Sequence, residues 1–533
     1  MPDTPFSEKK LGGADIGVAF GLLAGYFSLD AVMERLGTYW GISEFIQPFV
    51  ILLAFQVAVF LCLAAVGLKR NKSLCLTLFI FFVLFQFAHL VDKGLAVTTS
   101  VMTISVILVG GIVLLVRAPR LREIFRSALM LYMAIFLCLN VVKSSVHMTK
   151  NIYDLTAIPP KADILDQARV DPATAPDIYF IVQDAYASAD TLQRLFGIDN
   201  TPFIGYLRDK GFYVAEDSHS SYSQTMLSIA STLNLDYIQS DIVLPHSDFS
   251  DRRPAIDHFM RPRLVEFLMA NGYDIRMAST GYDLDIDPDH QEHDIRAHDF
   301  DLSALDILIN RMPVYGFLDM AFGRERLFLN PHRKHHRNIS DEYEFLKQNA
   351  EIKNHDKPRF IYAHILLPHP PFVFDSKGNF NVSGNLDEFS YKDGSYNGHT
   401  HLYEGGWNDY YKQGYADQVR AANYFLTDFI DTGLAQSSAR PKIIIIQGDH
   451  GSRLKKNFDS LEKSDPAEIF GIINAVYYSD GNYTGFQPDI NPVNTVRMTV
   501  NRYFGTNLPM LENHSWFSPW RRPYKFTEVE RSP

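Results

Sequence analysis

The sequence predicts an N-terminal transmembrane α-helical bundle followed by a doubly wound α/β domain. Three observations carry this. The first 145 residues hold a series of apolar runs, most of them uncharged, each long enough to cross a ~30 Å hydrocarbon core as a helix. The remainder is polar and acidic and alternates β-branched and aromatic runs with helix-like stretches. Two of the later runs end in acidic and imidazole side chains, at the place where α/β sheets bind ligands.

At 533 residues the chain exceeds one compact core, so at least two structural units are expected. A formal net charge of -11 excludes a nucleic-acid partner, because phosphate backbones are held by surplus Lys and Arg. Cys62, Cys75 and Cys138 all fall in the apolar region. The polar part therefore has no disulfides or thiolate sites, and any metal there takes O and N ligands.

Residues 45–68 are an uncharged run of spanning length, followed by 73–91, 97–116 and 127–145. A fifth span is expected at 14–33, where Asp15 and Asp30 near the ends leave an interfacial helix as the alternative; a cleavable signal peptide would want a more basic start. Lys9 and Lys10, then Lys69, Arg70 and Lys72, then Arg117, Arg120, Arg122 and Arg126 make every second loop basic. Basic loops stay in the cytoplasm, so five spans put the rest of the chain outside: a multi-pass protein of a bacterial inner membrane with a periplasmic or extracellular domain. Sparse intramembrane charge favours an anchor over a transport path.

The expected organisation is a transmembrane region at 1–146, a linker at 147–176, a catalytic domain at 177–516 and a C-terminal tail at 517–533. Pro159, Pro160, Pro172 and Pro176 mark the linker. Runs at 178–183, 359–367, 442–446 and 472–478 suit parallel strands buried on both faces. Helices are expected at 257–271 and 413–434.

The run IYFIVQD ends at Asp184, and KIIIIQGDHG at Asp449 and His450. Two carboxylates and an imidazole at adjacent strand ends supply O, O and N ligands to one divalent cation and leave positions open. An Asp at a strand end also caps helices and forms turns, so the motif alone leaves both readings open. Ser220, Ser221, Ser223, Thr225, Ser228, Ser231 and Thr232 crowd the next candidate segment, and side-chain chemistry does not choose among them.

Strand-Asp184, SYSQTMLSIASTLN, HILLPHPPF, QGDHG and the closing NPVNTVRMTVNRYFGTNLPMLENHSW follow in that order. This succession resembles the sulfatase-like branch of the alkaline phosphatase superfamily, closest in style to lipoteichoic acid synthases and phosphoethanolamine transferases. Those enzymes also carry several membrane spans before an external catalytic domain, and the likeness covers nearly all of 175–516. The resemblance implies that Thr225 is the nucleophile and a metal ligand beside Asp184, Asp449 and His450, with Ser223 and Ser228 as its competitors and a helix N-cap as its structural alternative. It implies that His369 sits over the transferred group as a binder or general acid. His364, inside the strand, reads as a core histidine.

The implied activity moves a phospho-group such as phosphoglycerol or phosphoethanolamine from a phospholipid or other phosphorylated or sulfated donor to a glycan or lipid acceptor, through a phospho-threonine. One divalent ion is implied, zinc or manganese, with magnesium as the alternative. A phosphodiesterase, phosphonate or sulfate-ester hydrolase is the nearest rival; a non-catalytic receptor or scaffold is the rival of another class. Three departures bear on the subfamily. Asp184 stands where the transferases usually carry Glu, and Ser452-Arg453 departs from the phosphoethanolamine pattern. The string Phe517-Ser518-Pro519-Trp520-Arg521 has Phe where formylglycine-type sulfatases need Cys or Ser. Asp283–Asp301, with Asp289 and His293, has the composition of a second metal site but reads as a solvated acidic loop.

Overall fold

The computed structural model describes residues 13–33, 42–91, 107, 110–150, 170–241, 252–278, 293–295, 331–353, 355–381, 407–435 and 440–530. The chain forms two compact units, Met1–Ile152 with Leu302–Asn330, and Tyr153–Asp301 with Pro331–Pro533.

In the first unit the helices Gly13–Met33, Ile42–Ala65, Arg70–Val91 and Pro119–Lys150 overlie four of the five stretches expected to span, which shows them as helices and not as spans. The expected span at 97–116 lies mostly outside the described residues. Leu23, Leu52, Leu78 and Met133 form a shared apolar core. Counted over described residues, no helix is long and apolar enough to cross a membrane. Ile42–Ala65 has 24 residues, but its side chains are described only from Phe49 onward.

The second unit is built on a seven-stranded sheet, β1 (Asp177–Gln183), β2 (Tyr213–Val214), β3 (Asp274–Ala278), β4 (His293–Ile295), β5 (Arg359–Ile365), β6 (Lys442–Gly448) and β7 (Asn474–Tyr478), in the order β2-β7-β6-β1-β5-β3-β4. The centre is parallel, as continuous apolar runs predict. The last run differs from expectation: β7 lies antiparallel to β6. Residues 449–473 between them hold only the short helix Pro466–Phe470 and no crossover helix of the kind a parallel return uses. The helix expected at 257–271 is two, Arg253–Met260 and Arg263–Ala270. Pro262 between them has no N–H to continue the first helix and serves as the start of the second. The acidic run Asp283–Asp301 lies outside the described residues except for the backbone of β4.

Alternation along β1 divides the core. Ile178, Phe180 and Val182 face the helices Thr225–Leu233, Arg263–Ala270 and Pro492–Phe504. Tyr179 and Ile181 face Pro331–Glu351 and Trp407–Ala435. Gln183 pairs with both Ile365 and Gly448, so β5, β1 and β6 end at one level. That register sets the residues after β1 and β6 side by side. At the other end of β1, buried Asp177 accepts the Arg359 backbone N–H and guanidinium, each at 2.9 Å.

Residues 517–530 do not leave the unit. Trp516–Phe517 (β8) pairs with Thr527–Glu528 (β9), and Ser518 and Phe517 are buried.

Replacing Asp177 by Ala strands the Arg359 guanidinium, itself 1 % exposed, without its counter-charge. The full chain should lose about 3–5 kcal/mol of stability, read as a lowered thermal midpoint. A midpoint unchanged from the parent would contradict this account of the strand end.

Candidate active site

Asp184 follows β1 directly, and its own N–H donates to Ile365 O at 2.9 Å. The next residue, Ala185, takes the left-handed conformation with φ 64°, which costs a non-glycine residue energy. Its N–H donates to Asp449 Oδ1 at 2.9 Å, and its carbonyl accepts the Tyr415 hydroxyl at 2.6 Å. The sharp turn thus ties the ends of β1 and β6 together.

After β6 the chain passes through Asp449, His450 and Gly451. A Cβ on Gly451 would lie 1.8 Å from Glu468 O, so only glycine fits. Buried Glu468 accepts from Ser452 Oγ, from Leu454 N at 2.6 Å and from Lys455 N at 2.7 Å, fixing the loop.

Asp184, Asp449 and His450 present ligand atoms all within 4.8 Å of one another, and all three residues are buried. His450 Nδ1 lies 2.8 Å from Gly451 O. A carbonyl only accepts, so the proton sits on Nδ1 and the Nε2 lone pair faces the carboxylates. Burial, then Arg453 and Lys456, push the His450 pKa well below its usual value and keep the ring neutral. Asp184 Oδ1 and Asp449 Oδ2 are buried with no hydrogen-bond donor. Two orphaned carboxylate oxygens and an imidazole lone pair beside them fit a divalent cation with N and O ligands.

The two carboxyls respond in opposite ways to the same surroundings. Burial would raise Asp184, but His369, His364 and His450 outweigh it and hold that carboxyl well below the carboxylate range. Burial and then the charge of Asp184 push Asp449 up to about 7.

Thr225 is the first residue of the helix Thr225–Leu233, with Gln224 in the N-cap position. Its side chain does not cap the helix; its Oγ1 lies 3.2 Å from His450 Nε2, and it also interacts with Asp449. The nearby Ser223 Oγ is buried and has no partner. Thr225 is half-buried while its neighbours are buried, so the cluster opens where this hydroxyl stands. Gln224 is gripped by Ser518 Oγ, 2.9 Å from its Nε2, and by Arg252 Nη1, 2.8 Å from its Oε1.

His369 lies on the Pro-rich loop after β5, buried, with Nδ1 2.5 Å from Pro370 O. It enters the cluster through its field on Asp184. His364, taken from the sequence as a core histidine, has a site partner: its Nε2 lies 3.1 Å from Asp184 Oδ2. Strand parity holds the signal, since His364 pairs with Val182 and so shares a face with Asp184. Arg453 and Lys456 were also missed as site residues. Arg453 Nη2 lies 3.2 Å from His450 Nε2, and Lys456 Nζ donates to Ser223 O.

A family model described as Sulfatase matches residues 176–494, more than half of the chain. No curated protein matches by sequence. Among solved structures, the C-terminal periplasmic domain of phosphoethanolamine transferase EptC from Campylobacter jejuni is 11% identical, with 62% of this chain and 89% of that chain covered and a TM-score of 0.38. The corresponding domain of EcEptC from Escherichia coli, solved in complex with Zn, is 12% identical, with 67% and 94% covered and a TM-score of 0.39. The integral membrane lipooligosaccharide phosphoethanolamine transferase A from Neisseria meningitidis is 10% identical, with 93% and 96% covered and a TM-score of 0.33.

The purified chain should bind one divalent cation at this cluster, and Asp184→Asn or Asp449→Asn should weaken that binding by at least about 100-fold, measured by metal analysis after dialysis. His364→Ala should weaken it by about 10–100-fold, because a partner that orients a ligand is lost. Since Asp449 is pushed toward its protonated form, a cation must displace that proton, so affinity should fall as pH drops below about 7. Metal content indifferent to all three substitutions would remove the cluster from consideration as a metal centre.

Proposed function

Because this chain belongs to the sulfatase family of the alkaline phosphatase superfamily, we propose that it is a membrane-anchored, metal-dependent transferase acting outside the cytoplasm. It moves a phospho-group from a lipid donor to a glycan or lipid acceptor through a covalent phospho-threonine. The observation that carries this reading is the contact of the Thr225 hydroxyl with His450 Nε2, beside two buried carboxylates.

Asp184, Asp449, His450 and Thr225 would hold the divalent ion, which when bound lowers the pKa of the Thr225 hydroxyl and offsets charge on the transferred oxygens. Thr225 Oγ1, its proton lost to solvent, bonds to phosphorus as the bond to the donor oxygen breaks. That oxygen departs with a proton, for which His369 is the proposed source. An acceptor hydroxyl then attacks the phosphorus and gives its proton to His369, the bond to Thr225 Oγ1 breaks, and the threonine oxygen is regenerated as it began. The first helical N–H groups after Thr225 lack intrahelical acceptors and face the same end of the helix, where anions are favoured. His364 acts on the reaction only through Asp184, as a positioning residue.

Membrane attachment is supported by the apolar runs and by where apolar side chains stand exposed. Val18, Val50, Phe55, Leu61, Leu131 and Leu139 are exposed in the N-terminal helices, while the second unit contributes only Met269, Ile352, Tyr424 and Met510 among the described residues. A belt of exposed large side chains on a helical unit suits lipid contact. The five-span, N-terminus-inside topology is the proposed arrangement.

The test incubates the chain with labelled phospholipid and follows the label and the mass of the protein. An adduct on Thr225 and label on a second molecule are expected, with Thr225→Ala lowering turnover by at least about 10³-fold at unchanged metal content. Label released only to water would make the protein a hydrolase; activity surviving in Thr225→Ala would end the covalent reading.

A further inference from the structure

The helix Trp407–Ala435 sets a polar side chain against each of the three loops that carry the site. Tyr411, Tyr415 and Gln418 follow the i, i+4, i+7 spacing of one helix face, and all three are buried. The Tyr411 hydroxyl accepts the Arg453 N–H at 3.1 Å, in the loop that follows His450. Gln418 Oε1 accepts from Val373 N at 3.3 Å and from Phe374 N at 3.2 Å, and its Nε2 donates to Phe374 O at 2.8 Å, in the loop that follows His369. Tyr415 takes the turn after Asp184 from both sides: its hydroxyl donates to Ala185 O at 2.6 Å and accepts the Ala187 N–H at 3.1 Å. Buried polar groups bonded this fully fix direction, which apolar packing does not.

Of the three, Tyr415 has the shortest path to the metal ligands. Ala185, whose carbonyl it holds, follows Asp184 and lies in the left-handed region at φ 64°. The N–H of the same residue reaches Asp449 Oδ1 at 2.9 Å. Released from that conformation, Ala185 would turn its N–H away from Asp449 and with it the peptide plane it shares with Asp184. One residue thus orients both carboxylates. The phenol that restrains it has little freedom of its own, since the Phe196 and Tyr411 rings lie against it at centroid separations of 4.5 and 5.8 Å.

We propose that Tyr415 is a positioning residue for the metal centre: its hydroxyl holds Ala185 in the left-handed conformation and so keeps Asp184 and Asp449 at cation-binding separation. The proposal rests on the metal-dependent part of the functional reading and not on transfer.

The test measures zinc affinity of the full chain in detergent by competition with a chelator, together with the visible spectrum of the cobalt(II)-loaded protein, whose d–d bands report ligand geometry. Tyr415→Phe keeps the ring and removes the hydroxyl; zinc affinity should fall about 10–100-fold and the cobalt bands should change. Ala185→Gly removes the β-carbon that makes the left-handed turn costly, so adding it to Tyr415→Phe should recover most of the lost affinity. A tyrosine that only packed the helix would not be rescued by a change in the turn. Tyr206→Phe, which takes a hydroxyl bond of 3.1 Å from Thr427 O on the same helix, should keep the affinity and spectrum of wild type. Affinity and spectrum unchanged in Tyr415→Phe, a loss that Ala185→Gly does not recover, or an equal loss in Tyr206→Phe would overturn the positioning role. If Tyr415→Phe does not fold, the double variant carries the test: affinity close to wild type upholds the proposal, and a loss of about tenfold or more overturns it. A wild type that takes up no zinc would remove the metal centre and the proposal together. Zinc affinity that depends on Tyr415, in a protein that never forms an adduct at Thr225, would uphold the proposal and remove the transfer reading.

Discussion

Two carboxylates confined to one buried space are the constraint on which the rest of the second unit turns. Asp184 and Asp449 offer ligand atoms within 4.8 Å of each other, away from water. Two like charges at such a distance repel by about 3–4 kcal/mol at an effective dielectric near 20. A fold retains that arrangement only where positive charge is supplied. Histidines supply part of it: His364 donates to one oxygen of Asp184, and the field of His369 adds to it. The remainder falls on the two orphaned oxygens, where a divalent cation satisfies valence and charge together.

The backbone accepts local cost to keep those groups in place. Ala185 holds a left-handed conformation that a β-carbon disfavours by about 1–2 kcal/mol. The Asp449 carboxylate and the Tyr415 hydroxyl offset that cost by bonding both faces of the same residue. Gly451 lets the chain pass against the Glu468 carbonyl, and Glu468 in turn collects the donors of the loop that presents Arg453. Strain and compensation are thus adjacent, as expected where packing is subordinate to chemistry.

Much of this architecture was legible. Buried strands announced themselves as continuous apolar runs, and strand ends located Asp184, Asp449 and His450 because side-chain chemistry changes abruptly there. What escaped notice depended on geometry that no local pattern encodes. The direction of β7 goes with a connection from β6 that holds no crossover helix, and its composition does not show it. His364 looks like any histidine in an apolar strand until the β1–β5 register sets it beside Asp184. Arg453 and Lys456 carry no local pattern that marks them as buried; the burial of both goes with the way Glu468 and Tyr411 hold the loop.

The orientation of the nucleophile depends on residues almost three hundred positions away. A threonine at the first position of a short helix has rotational freedom unless the strand entering the helix is fixed. Trp516 N–H donates to Ser221 O at 2.8 Å, and Ser515 Oγ donates to Ser220 O at 2.8 Å, which holds that entering strand. Gln224, directly before Thr225, is gripped at both ends of its amide by Ser518 and Arg252. Arg252 is itself stacked over Trp520 at 4.1 Å and donates to its carbonyl. The segment that composition marks as a tail is therefore a brace for the reacting hydroxyl. Sheet register brings the cation ligands together, whereas the chain end aims the atom that attacks, so the two halves of the chemistry are positioned by independent parts of the fold.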